Sequence, residues 1–251
     1  MTQQLAGILG AAAPGIVLPP MWHTTHLLDR WDRTDLGPDG HPLRGLPTPP
    51  AEPHRRMFAG GRAVHLQALR LGMPATRTST VASSVVKRGR TGELTFVTVR
   101  HEYEQAGRVA VVDEHDIVYQ RADAGVPTAP KADPGEAEAL AGGTPFEVDP
   151  VTLFMFSSVT ANAHRIHYDL EYARSEGHSD LVVHGPLQVL LMAGLLAFRG
   201  EEFTGREFAY RLLSPARGAQ VLTVGRPASR DADVVVLDAG GRRVAQAVLA
   251  P

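Results

Sequence analysis

The sequence predicts an α+β protein with two similar halves, each built from antiparallel strands around one helix. Three observations favour this fold class: apolar residues at helical spacing over 186–198, short β-rich runs in both halves, and a segment rich in Ala, Pro, Asp and Gly between them. The chain has 251 residues, 43% of them hydrophobic, which is enough to bury a core in two small domains.

The first half is predicted to begin with a short helix or frayed leader over residues 1–17. A Pro-rich segment, 37–53, is expected to form a loop inside this half. Residues 57–71 are predicted as a helix that ends before Gly72 and Pro74. The alternating and β-branched patterns that follow predict strands near residues 77–88, 93–104 and 108–120.

The second half contains the clearest helix. Over 186–198 the apolar residues recur at i, i+3, i+4, i+7, i+8 and i+11, which predicts one buried face made of Leu187, Leu190, Leu191, Gly194, Leu195 and Phe198. Gly200 can end this helix. Strands are predicted over 207–214, 219–226, 231–238 and 243–249, with the last two joined by a turn at 239–241.

A helix wrapped by antiparallel strands, twice over, is a double hot-dog arrangement. It divides the chain into an N-terminal hot-dog domain (1–122), a linker (123–145) and a C-terminal hot-dog domain (146–251) that carries the candidate site. The linker lacks apolar periodicity and is long enough for one half to cross the other.

Charge and composition exclude several function classes. The net charge of −2 lacks the broad positive field of a nucleic-acid-binding protein. With no cysteine, the chain forms no disulfide, thiolate metal site or cysteine nucleophile. No apolar stretch approaches the roughly 20 residues that span a bilayer, and the N-terminal run has no basic n-region, so we expect a cytoplasmic protein without membrane association.

Two stretches concentrate chemically useful groups: S-V-T-A-N-A-H-R-I-H-Y-D at 158–169, and L-V-V-H-G-P-L at 181–187. An imidazole titrates near neutral pH, so His164 or His167 could exchange a proton with water if Asn162 or Asp169 fixes its orientation. The Gly-Pro pair at 185–186 is typical of a helix start, where free N–H groups beside the positive helix end suit a developing anion.

These stretches resemble the MaoC-like, hydratase 2 group of enoyl-thioester hydratases. The segment F-S-S-V-T-A-N-A-H-R-I-H-Y-D at 156–169, with E-Y-A at 171–173 and L-V-V-H-G-P-L, is similar to its two-domain branch of 3-hydroxyacyl-thioester dehydratases and itaconyl-CoA or mesaconyl-C4-CoA hydratases. The first half resembles that branch's FAS1-like N-terminal dehydratase domain through R-R-M-F-A-G-G-R at 55–62, V-K-R-G-R-T-G-E-L-T-F-V-T-V-R-H-E at 86–102 and D-I-V-Y-Q at 116–120.

The resemblance implies a hydro-lyase that uses no cofactor and acts on an acyl-CoA, with an acyl carrier protein thioester as the alternative. His167 falls on the general pattern's catalytic histidine. Asn162 falls where that pattern has an Asp five residues earlier, and an amide cannot serve as a base, so we expect it to orient water. The backbone N–H of Gly185 is expected to stabilise an enolate.

The remaining predicted site residues are substrate contacts. They are His164, His184, Pro186 and Arg165, and the extra cation of Arg165 would suit a substrate with a second carboxylate. If one imidazole makes both proton transfers, addition of water should be syn.

Other interpretations stay open from the residues alone. His167 could be a buried structural histidine, and Asn162 a turn residue. A metal held by His164 and His167 with Asp169 is considered, but the spacing fits no known metal motif, so no metal is expected. A hot-dog acyl-CoA thioesterase and a non-catalytic acyl-thioester-binding subunit are the rival functions, and a homodimer is left open.

Two further sequence features are expected to serve the fold rather than the chemistry. The W-H-T-T-H cluster at 22–26 is assigned no chemistry, and Gly60-Gly61 is taken to permit close approach of a neighbouring element.

Overall fold

The computed structural model describes residues 1–50, 54–89, 92–121 and 138–251. In that part the α-helices are α1 Thr2–Leu9, α2 Pro150–Thr160, α3 Leu170–Ser175 and α4 Gly185–Phe198. The strands are β1 His54–His65, β2 Ala75–Gly89, β3 Gly92–Gln105, β4 Arg108–Arg121, β5 Leu140–Val148, β6 Glu207–Leu212, β7 Gln220–Pro227, β8 Val234–Leu237 and β9 Arg243–Ala250. None of the helices described is both long and apolar enough to span a membrane.

All nine strands belong to one antiparallel sheet, in the order β2-β3-β4-β1-β6-β9-β8-β7-β5. The four strands of the first half are therefore neighbours at one end of this order, and the five strands of the second half follow at the other end. They meet where β1 pairs with β6, from Gly60 opposite Arg211 to Val64 opposite Glu207. The fold is the predicted α+β double hot-dog, with its two halves hydrogen-bonded edge to edge.

The predicted helix over 57–71 is wrong, because residues 54–65 form strand β1. A β-bulge between Phe58 and Gly60 shifts the alternation by one residue. A Cβ on Gly60 would lie 2.4 Å from the carbonyl oxygen of Tyr210, so the absence of a side chain lets β6 approach closely. The glycine pair thus has the predicted packing role, but in a strand.

The other predicted strands of the first half are confirmed by β2, β3 and β4, and the short N-terminal helix by α1. Their inward faces follow the period of two: Val97, Val99, His101 and Tyr103 on β3 share a side, while Arg100 and Glu102 point the other way and pair with each other. The first half has no long helix against this face among the described residues. Leu5 of α1, Met21 and Trp22 are buried in the main core cluster, which includes Tyr103 of β3.

Helix α4 is the centre of the second half, as predicted. Its Leu187, Leu190 and Leu195 are buried and Leu191 is partly buried. Gly194 is exposed, and 89% of Phe198 is accessible to solvent, so the predicted stripe is wrong at its C-terminal end. The buried surface is broader and also includes Val189, Met192, Ala193 and Leu196, because strands β7, β8 and β9 pack against the helix along its length.

The remaining second-half predictions agree with β6 to β9. The β8–β9 hairpin turns at 239–241, and Gly200, with φ +84°, follows the end of α4. Strand β5 begins at Leu140 and so occupies the end of the segment predicted as a linker. Residues 123–137 of that segment lie outside the described residues, and the predicted domain boundaries stay a prediction.

Candidate active site

Helix α2 delivers the motif into a sharp turn. Asp149 caps its first turn by accepting a hydrogen bond from the Thr152 N–H, and Pro150 occupies the helix start. The helix ends at Ala161 in the left-handed region, φ +50°. Asn162 follows, and its Oδ1 accepts a hydrogen bond from the backbone N–H of His164 at 3.1 Å. The amide therefore has the turn-forming role considered from sequence, and its nitrogen is left to bind another group.

His167 lies in a short 3-10 turn, Arg165–His167, and is buried. Its Nδ1 donates a hydrogen bond to the carbonyl oxygen of Val182 at 2.7 Å, and the Val182 N–H returns one to Ile166 O at 2.9 Å. This pairing of the two motif stretches fixes the tautomer, so that Nε2 carries the free lone pair. Burial lowers the pKa of His167 to about 4, against the opposing effect of the Val182 hydrogen bond.

His184 stacks on His167, with ring centroids 3.6 Å apart and planes 18° from parallel. Its Nε2 is hydrogen-bonded to Ser157 Oγ at 2.9 Å, which ties the ring to α2. Burial, with a smaller effect from His167, holds the pKa of His184 well below its usual value. Two neutral imidazoles can stack this closely without charge repulsion, so the two rings stay in contact at the start of α4.

The third motif histidine, His164, connects this pair to the first half. Its ring lies 5.6 Å from that of His167 and 4.0 Å from that of His41, centroid to centroid. His41 Nδ1 hydrogen-bonds Asp39 Oδ2 at 3.0 Å, and Arg56 NH1 lies 3.3 Å from its Nε2. Burial lowers the pKa of His164, with His41 as the next cause, and burial also lowers the pKa of His41.

The loop that carries His41 is docked tightly on the motif. The backbone N–H of Arg165 donates to Asp39 O at 2.9 Å. Gly40 has φ +89°, and a Cβ there would lie 1.8 Å from the carbonyl oxygen of Ala163. Only glycine fits this contact, so the Pro-rich loop of the first half helps to hold the histidine turn in place.

A cavity of about 280 Å³ opens beside these groups. It touches Asn162 of the motif, Pro186 at the start of α4, and His41. The rest of its wall comes largely from the inward face of the first half, including Arg56, Phe58, Arg77, Val99, His101, Tyr103, His115 and Ile117. Of the predicted site residues, Asn162 and Pro186 line this cavity, and His164, Arg165, His167, His184 and Gly185 are not among its lining residues.

The start of α4 matches the prediction from Gly-Pro. The helix begins at Gly185 after His184, and Pro186 has no N–H to leave unsatisfied. A Cβ on Gly185 would lie 2.2 Å from Leu212 Cδ1 and 3.3 Å from Phe58 Cδ1, so the glycine permits strand β6 and strand β1 to pack against the helix start. The unsatisfied N–H groups and dipole of this 14-residue helix favour a negative charge at this end.

Arg165 is already occupied by other groups. Its Nε and NH2 donate to Asp169 Oδ2 at 3.1 and 2.7 Å, its NH1 donates to Pro38 O, and its guanidinium lies over the ring of Tyr172. Asp169 is likewise used: it caps α3 through Tyr172 N as well as pairing with Arg165. Contact between Arg165 and a substrate carboxylate stays a prediction that this arrangement does not favour.

The arrangement does not place His164, His167 and Asp169 together as a metal site. Asp39, His41 and His164 do bring three ligand atoms within 4.8 Å of one another. However, the Arg56 guanidinium lies against His41 Nε2, and a cation there opposes metal binding.

Residues 21–217 match the family model described as hydroxyacyl-thioester dehydratase type 2. The chain belongs to this family. It is 43% identical over 188 residues to a protein named mesaconyl-C(4)-CoA hydratase from Chloroflexus aurantiacus, a match covering 74% of this chain and 66% of that protein, or about two thirds of its length.

Solved structures share the fold. HtdX of Mycobacterium tuberculosis superimposes with a TM-score of 0.70 at 12% identity, over 99% of this chain and 94% of that one. A second M. tuberculosis protein, described as having a double hotdog fold, gives a TM-score of 0.52 at 15% identity, over 99% and 84% of the two chains. At these identities the likeness concerns architecture alone.

Sequence reasoning missed His41, Arg56 and Ser157. The only available signals were a histidine in a Pro-rich loop, the R-R pair at 55–56, and a serine three residues before the end of a helix. None of these distinguishes a site residue from a surface residue without the tertiary contacts.

Proposed function

We propose that this chain reversibly adds water across the α,β double bond of an enoyl-CoA, and in reverse dehydrates a 3-hydroxyacyl-CoA. Family membership supports a thioester substrate and this reaction class. The single observation that carries the proposal within the structure is His167. It is a buried, neutral imidazole next to the start of α4, with Nδ1 bound to Val182 O and with no hydrogen-bond partner for Nε2 among the described residues.

In the proposed mechanism, Nε2 of His167 takes a proton from water while the water oxygen attacks the β-carbon. Electron density moves through the α-carbon to the thioester oxygen, where the N–H of Gly185 and the helix dipole stabilise the enolate. The imidazolium then gives its proton to the α-carbon. Because burial makes this imidazolium a strong acid, return of the proton is favoured.

Asn162 would orient the attacking water. Its Oδ1 is bound to the His164 N–H, so its Nδ2 can donate to the water oxygen from the cavity wall. His164, His184 and Pro186 would shape the acyl site around it. A single base that both removes and returns the proton implies syn addition.

The substrate is proposed to be an acyl-CoA with a second carboxylate, of the itaconyl or mesaconyl type. The name of the C. aurantiacus relative supports this class. CoA is the proposed carrier, with acyl carrier protein as the alternative, and a homodimer stays a prediction.

The test is the loss of conjugated-thioester absorbance with purified wild type and two variants. His167→Gln should lower kcat by at least about 100-fold while the protein stays folded. His26→Gln is the matched control, since that ring bonds Thr2 and the Trp22 carbonyl and does not itself line the cavity.

A folded His167→Gln variant with unchanged turnover would contradict the assignment. Free thiol release without hydration would instead identify a thioesterase. Acyl-CoA binding with neither reaction would identify a non-catalytic subunit. Product formed in deuterated water tests the single-base step, and anti addition would refute it.

A further inference from the structure

The cavity beside the histidines is positively charged. Two arginines, Arg56 from β1 and Arg77 from β2, contribute to its wall. Among the described residues that line it there is no Asp or Glu. A partly enclosed space with cations and no acidic group on its wall is a site for an anion, because the low dielectric strengthens the attraction.

The two arginines differ in how far they are neutralised. Arg77 NH2 pairs with Asp29 Oδ1 at 2.6 Å. Arg56 has no carboxylate within 4.0 Å in the part of the chain that the structure describes, and its NH1 lies 3.3 Å from Nε2 of the neutral His41 ring. A half-buried guanidinium without a counter-charge is costly unless a ligand supplies one.

The position of Arg56 is fixed by its neighbours. Asp39 accepts the Nδ1 proton of His41, which leaves Nε2 as an acceptor for Arg56 NH1. Tyr119, its cross-strand partner on β4, is within hydrogen-bonding reach and constrains the other side of the guanidinium. A guanidinium held in one orientation can present two N–H donors to the two oxygens of a carboxylate.

This guanidinium is also close to the proposed reaction centre. His41 contacts both Arg56 and His164, and His164 contacts His167. Arg56 shares the cavity wall with Asn162 and Pro186. A short acyl group that reaches the start of α4 with its thioester end would therefore turn its far end toward the first half.

Resting on the proposed function, we propose that Arg56 is the specificity-determining residue that binds the free carboxylate of a dicarboxylic enoyl-CoA. Asp39 and His41 are positioning residues for it. The cation that binds the second carboxylate therefore comes from the first half. The guanidinium of Arg165, which the sequence analysis suggested for this role, is bound by Asp169 instead.

The kinetic test compares mesaconyl-C4-CoA with crotonyl-CoA, which lacks the second carboxylate. Arg56→Gln should lower kcat/KM for the dicarboxylic substrate by about 10- to 100-fold, the usual effect of losing a charge-assisted hydrogen bond. For crotonyl-CoA the value should change by less than about 3-fold. Arg56→Lys keeps the charge but not the paired N–H donors and should fall between wild type and Arg56→Gln.

Arg62→Gln is the matched control, because Arg62 lies on the same strand but is 47% exposed and pairs with Glu114 on the outer face. It should leave both substrates unaffected. An equal loss with both substrates in Arg56→Gln would assign Arg56 to CoA or to folding and would overturn the proposal.

A binding measurement separates this inference from the reaction itself. Titration calorimetry with succinyl-CoA and butyryl-CoA, which have no double bond to hydrate, should show that wild type prefers succinyl-CoA and that Arg56→Gln abolishes the preference. If wild type binds both equally, the carboxylate site does not exist, even if hydration is observed. If the preference is present but no enoyl-CoA is hydrated, the proposed function fails and the carboxylate site stands.

Discussion

The contact between Gly40 and the histidine turn supports a quantitative prediction. In Gly40→Ala, the new Cβ would lie 1.8 Å from Ala163 O and 3.1 Å from His164 N, whereas ordinary contact begins near 3.4 Å. Both atoms are backbone, so a rotamer change cannot relieve the overlap. The loop around residue 40 and the turn before His167 must separate by about 1.5 Å to restore ordinary contact.

Two effects add in this variant. An alanine at φ +89° costs about 1–2 kcal/mol relative to glycine, and forced separation of packed backbone adds about 1–3 kcal/mol. Gly72→Ala isolates the first effect, because Gly72 has φ +78° but nothing within 4 Å of its Cβ position. We therefore expect Gly40→Ala to be the less stable variant by about 1–3 kcal/mol in free energy of unfolding.

Urea denaturation followed by circular dichroism gives these values for wild type and both variants. Enoyl-CoA hydration is measured in parallel, and a shift of about 1 Å in the histidine turn should lower kcat by about 100-fold in Gly40→Ala only. Equal destabilisation of the two variants, or full activity in a folded Gly40→Ala, would refute the view that this loop holds the site together.

Three further predictions concern buried polar groups. Burial lowers the pKa of His167 to about 4, and a base must be unprotonated to act. The value of kcat/KM should therefore be level from pH ~8 to ~5 and fall as the pH drops toward ~4. A half-maximal value of kcat/KM near pH ~6.5 in folded protein would contradict this. Asp113→Ala should lower the free energy of unfolding, measured by urea denaturation, by about 3–5 kcal/mol, because the fully buried Oδ2 of Asp113 is hydrogen-bonded to both His23 and His115, at 3.0 and 2.9 Å. A decrease below about 1 kcal/mol would show that this network is not needed for stability. Ser157→Ala should cost about 1–3 kcal/mol by leaving buried His184 Nε2 unpaired, as judged by the same denaturation assay, and an unchanged urea midpoint would contradict the bond.

The strands of the first half could be predicted from sequence because their inward and outward residues alternate over long runs. Strand β1 could not, because its bulge at Phe58 and Gly60 breaks the alternation and leaves a spacing that looks helical. The sequence could predict that α4 is buried on one face, but the number of its residues that are buried depends on how many strands pack against the helix. The hydrophobic pattern of one element does not contain that information.

The grouping of the C-terminal candidate residues could be predicted because they are close in sequence and form a recognisable motif. His167, His184 and the helix start at Gly185 do lie together. His41 and Arg56 reach the same place through docking of a loop and through strand pairing with β4, neither of which leaves a local pattern. The ion pair of Arg165 could not be predicted for the converse reason: nearness in sequence to two histidines did not reveal its i,i+4 partner, Asp169.

The seam between β1 and β6 has an evolutionary consequence. The groups proposed for bond making belong to the second half, while most of the side chains that would touch the far end of the acyl group come from the first. Selection can therefore vary the preferred acid by substituting inward positions on β1 to β4 and leave the proton-transfer apparatus untouched. Substrate recognition and proton transfer would thus lie on different halves of one polypeptide and could change independently, while five residue pairs between β1 and β6 hold the two halves together.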